Sequence, residues 1–212
     1  MRMNKRDKLT EFNRSNILEA AKALFEANGV VATTMDDIAK KADYSKSTIY
    51  VYFKSKDEIY NYIIYESMVL LKDRFKAATE EHASFEDIYF SICGILVSFQ
   101  QEYPLYFDSI LKEISVDEKD FDNYPVLRDI YLIGEEINAV ISAMFCKGME
   151  SGYLRADLKP IPTIFTLWAS LCGIIRMAEQ KEKYFQEKLQ LSKQEYLDYS
   201  FRLLLQAMKA GE

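Results

Sequence analysis

The apolar positions of the chain fall into helical stripes separated by short polar breaks. Ile17, Ala21, Leu24 and Phe25 share one face at three- and four-residue spacing. They predict a first helix from about Glu11 to Asn28, closed by Gly29 as a left-handed stop. Thr34-Met35-Asp36-Asp37 has the form of a capping box, in which a hydroxyl caps one free amide while the acidic side chain returns to another. It opens a short second helix with Ile38, Ala39 and Ala42 inward. Asp43-Tyr44-Ser45 breaks the stripe, and Ser45 is the expected N-cap of a third short helix. Ser55-Lys56-Asp57-Glu58 is a further capping box, so residues 46–53 form a compact element between two signalled boundaries, with Ile49 and Phe53 on its inner side.

The fourth helix runs through Ile59, Ile63 and Leu70 toward Ala78 with no flexible linker. Ser84-Phe85-Glu86-Asp87 caps a fifth, whose face of Phe85, Ile88, Tyr89, Ile92, Leu96 and Phe99 ends before Pro104. A short sixth covers about 105–114, and the acidic loop SVDEKDFDNYP separates it from a seventh carrying Ile130, Ile133, Ile137, Val140, Ile141 and Met144 and stopping near Gly152. Pro160 and Pro162 open an eighth, and Ser192-Lys193-Gln194-Glu195 caps a ninth with Tyr196, Tyr199, Leu203 and Leu204. The pattern predicts an all-α chain of about nine helices: a three-helix head, residues 1–56, joined by a long fourth helix to a helical body, residues 57–212.

Charge divides the same way. The net charge is -6, yet residues 1–56 hold 11 basic and 7 acidic residues and the remainder 16 and 26. A basic head before an acidic body steers the head toward a polyanion. Cys93, Cys146 and Cys172 are odd in number and show no CxxC spacing, which fits a reducing cytoplasm. The polar N-terminus offers no secretory signal. The most apolar segment, residues 161–175, is shorter than the ~20 residues that span a bilayer and contains Thr163, Thr166 and Ser170, so a buried helix and no membrane is expected. His82 is the single histidine and has no second metal-type ligand at helical spacing; no phosphate loop or nucleophile motif occurs. Catalysis, metal and cofactor are not expected.

Two short helices about a tight turn, braced by a preceding helix, make the helix-turn-helix that presents its second helix to the DNA major groove. Through ILEAAKALFEANGVVATTMDDIAKKADYSKSTIYVYFKSKDEIYNYI, residues 17–63, the sequence resembles the TetR/AcrR family of bacterial transcriptional regulators. GYLRADLKP before the eighth helix is a further likeness. Asp43 stands where these proteins commonly carry Gly, and Asp tolerates the left-handed conformation better than most residues. Ser47 stands where Gly, Pro or Arg is frequent, at a position able to face bases.

Lys46, Ser47 and Thr48 occupy the first turn of the recognition helix, where short polar groups and one cation reach base edges and phosphates. Ser45 caps that turn. Tyr50 and Tyr52 bring hydroxyls suited to phosphate contact, or rings suited to sugar and thymine methyl. Lys56 and Thr34 place a cation and a hydroxyl beside the exposed amides of helix starts, and the resemblance implies that both touch phosphate. Lys54 and the arm Arg2, Lys5, Arg6 and Lys8 are expected to be solvated and to add nonspecific affinity.

For the body, the resemblance implies a homodimer through the eighth and ninth helices, with Phe165, Trp168, Leu171, Ile175, Tyr199 and Leu203 as interface candidates. A two-fold dimer sets its recognition helices about one DNA turn apart, roughly 34–36 Å or a multiple, on a palindromic operator. The resemblance also implies a small-molecule cavity among the fifth to eighth helices, for which Phe90, Cys93, Tyr103, Phe107, Met144 and Trp168 are candidates, and release of a repressor when ligand binds. A helix-turn-helix factor that binds DNA constitutively is the alternative; ligand-dependent release separates the two.

Overall fold

The computed structural model describes residues 5–112 and 115–211, with only the backbone of Lys5. Arg2 of the arm and the end of the sixth helix, residues 113–114, lie outside them. The described residues hold eleven α-helices: α1 Lys5–Asn28, α2 Met35–Ala42, α3 Lys46–Tyr52, α4 Lys56–Glu81, α5 Phe85–Glu102, α6 Pro104–Phe107, α7 Glu118–Asn123, α8 Pro125–Glu150, α9 Pro160–Gln180, α10 Glu182–Leu189 and α11 Lys193–Met208. A 3-10 turn, Asp108–Leu111, follows α6. They form two compact units, one of the described residues up to 67 with 115–131, the other of the rest.

In the first unit, Ile17, Ala21 and Phe25 of α1 are buried with Ile38 and Ala39 of α2, Ile49 of α3, Phe53, and Ile59 and Ile63 of α4. Burying a Phe or Ile of this kind contributes about 1.5–3 kcal/mol. The Phe25 ring meets Tyr60 edge-on at 6.0 Å. Arg14 lies over both Phe53 and Tyr62, its guanidinium carbon 4.5 Å from each ring centroid. That cation ties α1 to the start of α4 through two aromatic faces. α1 begins six residues before the expected Glu11, because Lys, Arg and Leu sustain a helix without burial; Leu9 and Phe12 there are exposed.

The acidic loop is not wholly irregular. Asp117 caps α7 by accepting from the Lys119 amide at 2.9 Å, and Phe121 lies against Tyr131 at 6.0 Å. The Lys54 ammonium donates to the Asn123 carbonyl at 3.0 Å and sits 5.9 Å from the Tyr124 ring centroid. This segment therefore belongs to the compact unit that contains the helix-turn-helix.

The second unit has one core, in which Phe75 of α4, Leu96 and Phe99 of α5, Phe145 of α8, Ile175 of α9 and Leu205 of α11 are buried. Gly148 lets α8 approach its neighbours: a Cβ there would stand 2.7 Å from Phe85 Cδ2 and 2.9 Å from Leu154 Cδ1. The apolar segment extends further than the expectation for 161–175. α9 has 21 residues, long and apolar enough to cross a membrane by length and composition. One of its faces, with Ile164, Leu167, Leu171 and Ile175, is built into the core of the unit. α10 is a second departure. Its stop is Gln190 in the left-handed conformation at φ 51, without the glycine that would signal it.

Candidate nucleic-acid interface

The turn between α2 and α3 is set by local chemistry. Thr34 caps α2 by accepting from the Asp37 amide, and Asp37 returns to the Thr34 amide at 3.0 Å and hydroxyl at 2.6 Å. These bonds, the hydroxyl first, hold the Asp37 carboxyl below its ordinary pKa. α2 ends at Asp43, which is left-handed at φ 60, as the turn requires of the residue standing in place of glycine. Ser45 then caps α3, accepting from the Thr48 amide at 3.1 Å, while its Oγ lies 2.8 Å from both Ser47 Oγ and Thr48 Oγ1. The hydroxyls that open α3 are thus mutually bonded and fixed before any partner arrives.

The expected contact residues separate into two groups. Thr34, Ser45, Lys46, Ser47 and Tyr50 are exposed, with Thr48 half-buried beside them. Tyr52 faces the other way: its hydroxyl accepts from Asn13 Nδ2 at 2.8 Å, and its carbonyl accepts from Arg14 at 3.0 Å. Tyr44 donates to the same Asn13 at 2.8 Å, so Asn13 braces the turn and the far end of α3 together. Lys56 is also committed within the head. Its ammonium donates to the carbonyls of Val30, Val31 and Thr33 at 2.6, 3.2 and 2.7 Å, using all three of its protons. The side chain of Lys56 locks the loop between α1 and α2 to the start of α4, an arrangement that no capping pattern reveals.

Two residues on this face were not among the candidates. Val51, next to last in α3, is 78% exposed, and an outward apolar residue there is suited to thymine methyl contact. Its signal was its place on the wheel, one position after Tyr50 and opposite Ile49. Asp36 is the other: its Oδ1 lies 2.9 Å from the Lys46 ammonium. Hydrogen bonding to that carboxylate raises the Lys46 pKa.

Residues 17–63 match the family model described as bacterial regulatory proteins, tetR family. The HTH-type transcriptional regulator YhgD of Bacillus subtilis is 29% identical over 140 residues, 66% of this chain and 70% of that protein. A solved TetR/AcrR-family regulator of Thermobifida fusca superposes with a TM-score of 0.68 at 25% identity, covering 91% of this chain and 96% of that one. Residues 17–63 thus carry the DNA-binding segment of the tetR family, and the chain as a whole is similar to TetR/AcrR-family regulators. The transcriptional regulator FadR of Bacillus subtilis, solved in complex with stearoyl-CoA, shares the fold with a TM-score of 0.67 at 17% identity, covering 92% and 98% of the two chains. The matched helix-turn-helix segment and the likeness to YhgD make this TetR-like protein a DNA-binding transcriptional regulator.

In the second unit of this TetR-like chain, Tyr89, Ile92 and Leu96 of α5, Ile141 and Met144 of α8, and Ile164, Leu167, Trp168 and Leu171 of α9 line a cavity of about 20 Å³. That is room for about one water. Of the six pocket candidates, Met144 and Trp168 line it. Cys93 and Phe107 are buried in the core instead, Phe90 lies beside Tyr89 at 5.3 Å, and Tyr103 lies on Phe99 at 5.2 Å. The rest of the lining is chiefly the aliphatic stripe of three helices, with Tyr89 beside it. Burial pushes the Cys93 thiol up to about 12, which keeps it protonated and inert. The Trp168 ring stacks on Phe75 at 5.9 Å.

The six interface candidates also divide. Phe165, Tyr199 and Leu203 are 52%, 68% and 57% exposed. Leu171 and Ile175 are 4% and 1% exposed and Trp168 is half-buried, all serving the unit's own core. The exposed large apolar residues of α9 are Ile161, Phe165 and Met177, so of the four candidates on this helix only Phe165 stands on its outer side.

Proposed function

We propose that this regulator is a homodimeric, cytoplasmic repressor that leaves a palindromic operator when an apolar small molecule enters the body. Residues 1–56 act as the DNA-binding domain and 57–212 as the sensing and dimerisation domain, with α4 continuous between them. The observation that carries the reading is the exposed, preorganised face of Thr34, Lys46, Ser47, Thr48 and Tyr50, whose short polar groups and cation match base edges and phosphates. Ser45 supports it by fixing the first turn of α3. Tyr52 and Lys56 act as braces that set the pose of that face.

The ligand half of the proposal rests on the cavity. A ligand larger than a water binds only where the helices around Leu96, Met144 and Leu167 have parted, so it binds one conformation more tightly than the other. That difference in affinity is the free energy available to lower DNA affinity. The apolar lining favours a hydrocarbon-rich ligand, and the stearoyl-CoA of the structurally similar FadR makes acyl compounds the first to try. The exposed stripe of Ile161, Phe165 and Met177 with Tyr199 and Leu203 supports a second copy of this chain as the dimer partner.

The test is genomic fragment selection at two salt concentrations, with native protein and a Lys46→Ala, Tyr50→Ala double variant, followed by titration of acyl compounds into the selected complex. A palindrome recovered by the native protein, lost by the variant and released by an acyl compound is the expected result. Enrichment of no sequence by either protein refutes the DNA role of this face. A palindrome that no ligand releases favours constitutive binding.

A further inference from the structure

Lys46 is the only cation in α3, and its position is constrained. It is the first residue of the helix, and its ammonium is held 2.9 Å from Asp36 Oδ1, on the first turn of α2. Both side chains are about half exposed, 54% and 55%, so the pair stands on the surface that carries Ser47 and Tyr50. An unpaired lysine is a flexible point charge that settles on whichever phosphate it reaches. A lysine bonded to a carboxylate across the turn has two donors left for a partner and is biased toward that carboxylate. The carboxylate beside it repels phosphate and accepts only from donors.

One base-pair edge matches that arrangement. In the major groove a G·C pair presents two acceptors, guanine N7 and O6, next to one donor, the cytosine N4 amine. An ammonium beside a carboxylate presents donors next to an acceptor. Adenine and thymine edges offer no pair of adjacent acceptors for the ammonium.

Building on the DNA-binding reading above, we infer that Asp36 is a positioning residue for Lys46, and that the pair reads one G·C base pair in each half-site. The ammonium donates to guanine N7 and O6, and the carboxylate faces cytosine N4. Asp36 also sits favourably on the positive end of α2, and a role confined to that would leave base preference untouched.

Base preference is therefore the readout. Selection from a library randomised over the half-site is run with the native protein, D36N, K46A and the double variant. The native protein is expected to select G·C at one fixed position of each half-site. D36N should keep the remaining positions but lose about tenfold of the guanine preference at that one. The double variant should lose no more there than K46A alone, because the two act as one unit. Retention of native preference at every position by D36N overturns the inference, even if its affinity rises, since Asp36 then only repels phosphate. Losses at several positions overturn it too, because they mark a displaced helix. If the native protein selects no sequence, the DNA-binding reading falls along with it; a palindrome indifferent to D36N removes this inference alone.

Discussion

Lys56 and Tyr52 show how a side chain whose chemistry suits DNA can also brace the protein. Both match groups that bind phosphate, yet Lys56 spends three protons on loop carbonyls and the Tyr52 hydroxyl is engaged by Asn13. Lys56→Met is accordingly expected to destabilise the head and to weaken DNA binding at all sequences, with a lowered melting temperature accompanying the lost affinity. K46A should weaken binding without that shift. Glu86 permits a pH test. Its carboxyl is held below the usual range by the Tyr153 hydroxyl first and the Lys209 ammonium second. A carboxylate whose folded pKa is depressed adds stability above its unfolded value, near 4.5, and that contribution is lost as pH falls through the folded value. From about pH 5 to 3, the urea midpoint of the native protein should fall more steeply than that of E86Q.

At the scale of elements, the segment around α7 changes the picture of the head. It is acidic, and it places Asn123 and Tyr124 against Lys54, two residues beyond the end of α3. Glu118 and Asp122 are exposed on it and repel an approaching phosphate backbone. Replacing Glu118 by Gln with Asp122 by Asn should tighten DNA binding at low salt, the gain shrinking as salt rises and screening shortens; equal affinities at 50 mM salt would refute this. In the sequence of this segment the acidity is legible and the helix is not, because α7 has a single half-buried anchor, Phe121, and so short a helix shows no periodicity. The helix-turn-helix was legible for the opposite reason. Its caps at Thr34 and Ser45, its left-handed Asp43 and its inward Ile38 and Ile49 are all consequences of neighbours within four residues.

Across the whole molecule, the two faces of α9 predict opposite phenotypes. Leu171 is 4% exposed, and Leu171→Ala should cost about 2–5 kcal/mol of stability, measured by denaturant unfolding. Phe165 is 52% exposed, and Phe165→Asp should leave the fold intact while shifting sedimentation toward the monomer and lowering operator affinity. A Phe165→Asp protein that remains dimeric would remove α9's outer stripe from the interface. The expected interface mixed both faces because an all-apolar helix has no polar side to set its phase. Ile164, Phe165, Leu167, Trp168 and Leu171 look alike as a string, and only the neighbours around them decide which point inward.

By itself the sequence determined what short-range chemistry controls: helix boundaries marked by caps, the helix-turn-helix, the basic head and acidic body, and the exposed polar residues that open α3. The tertiary structure decided everything that depends on residues distant in the chain. It tied Lys56 and Tyr52 to partners within the head, joined Asp36 to Lys46, brought the acidic segment beside Lys54, and chose the inner face of α9. Local patterns record hydrogen bonds made within a turn of helix. Which charge meets which carbonyl, and which apolar stripe meets which neighbour, is fixed only when separate helices pack.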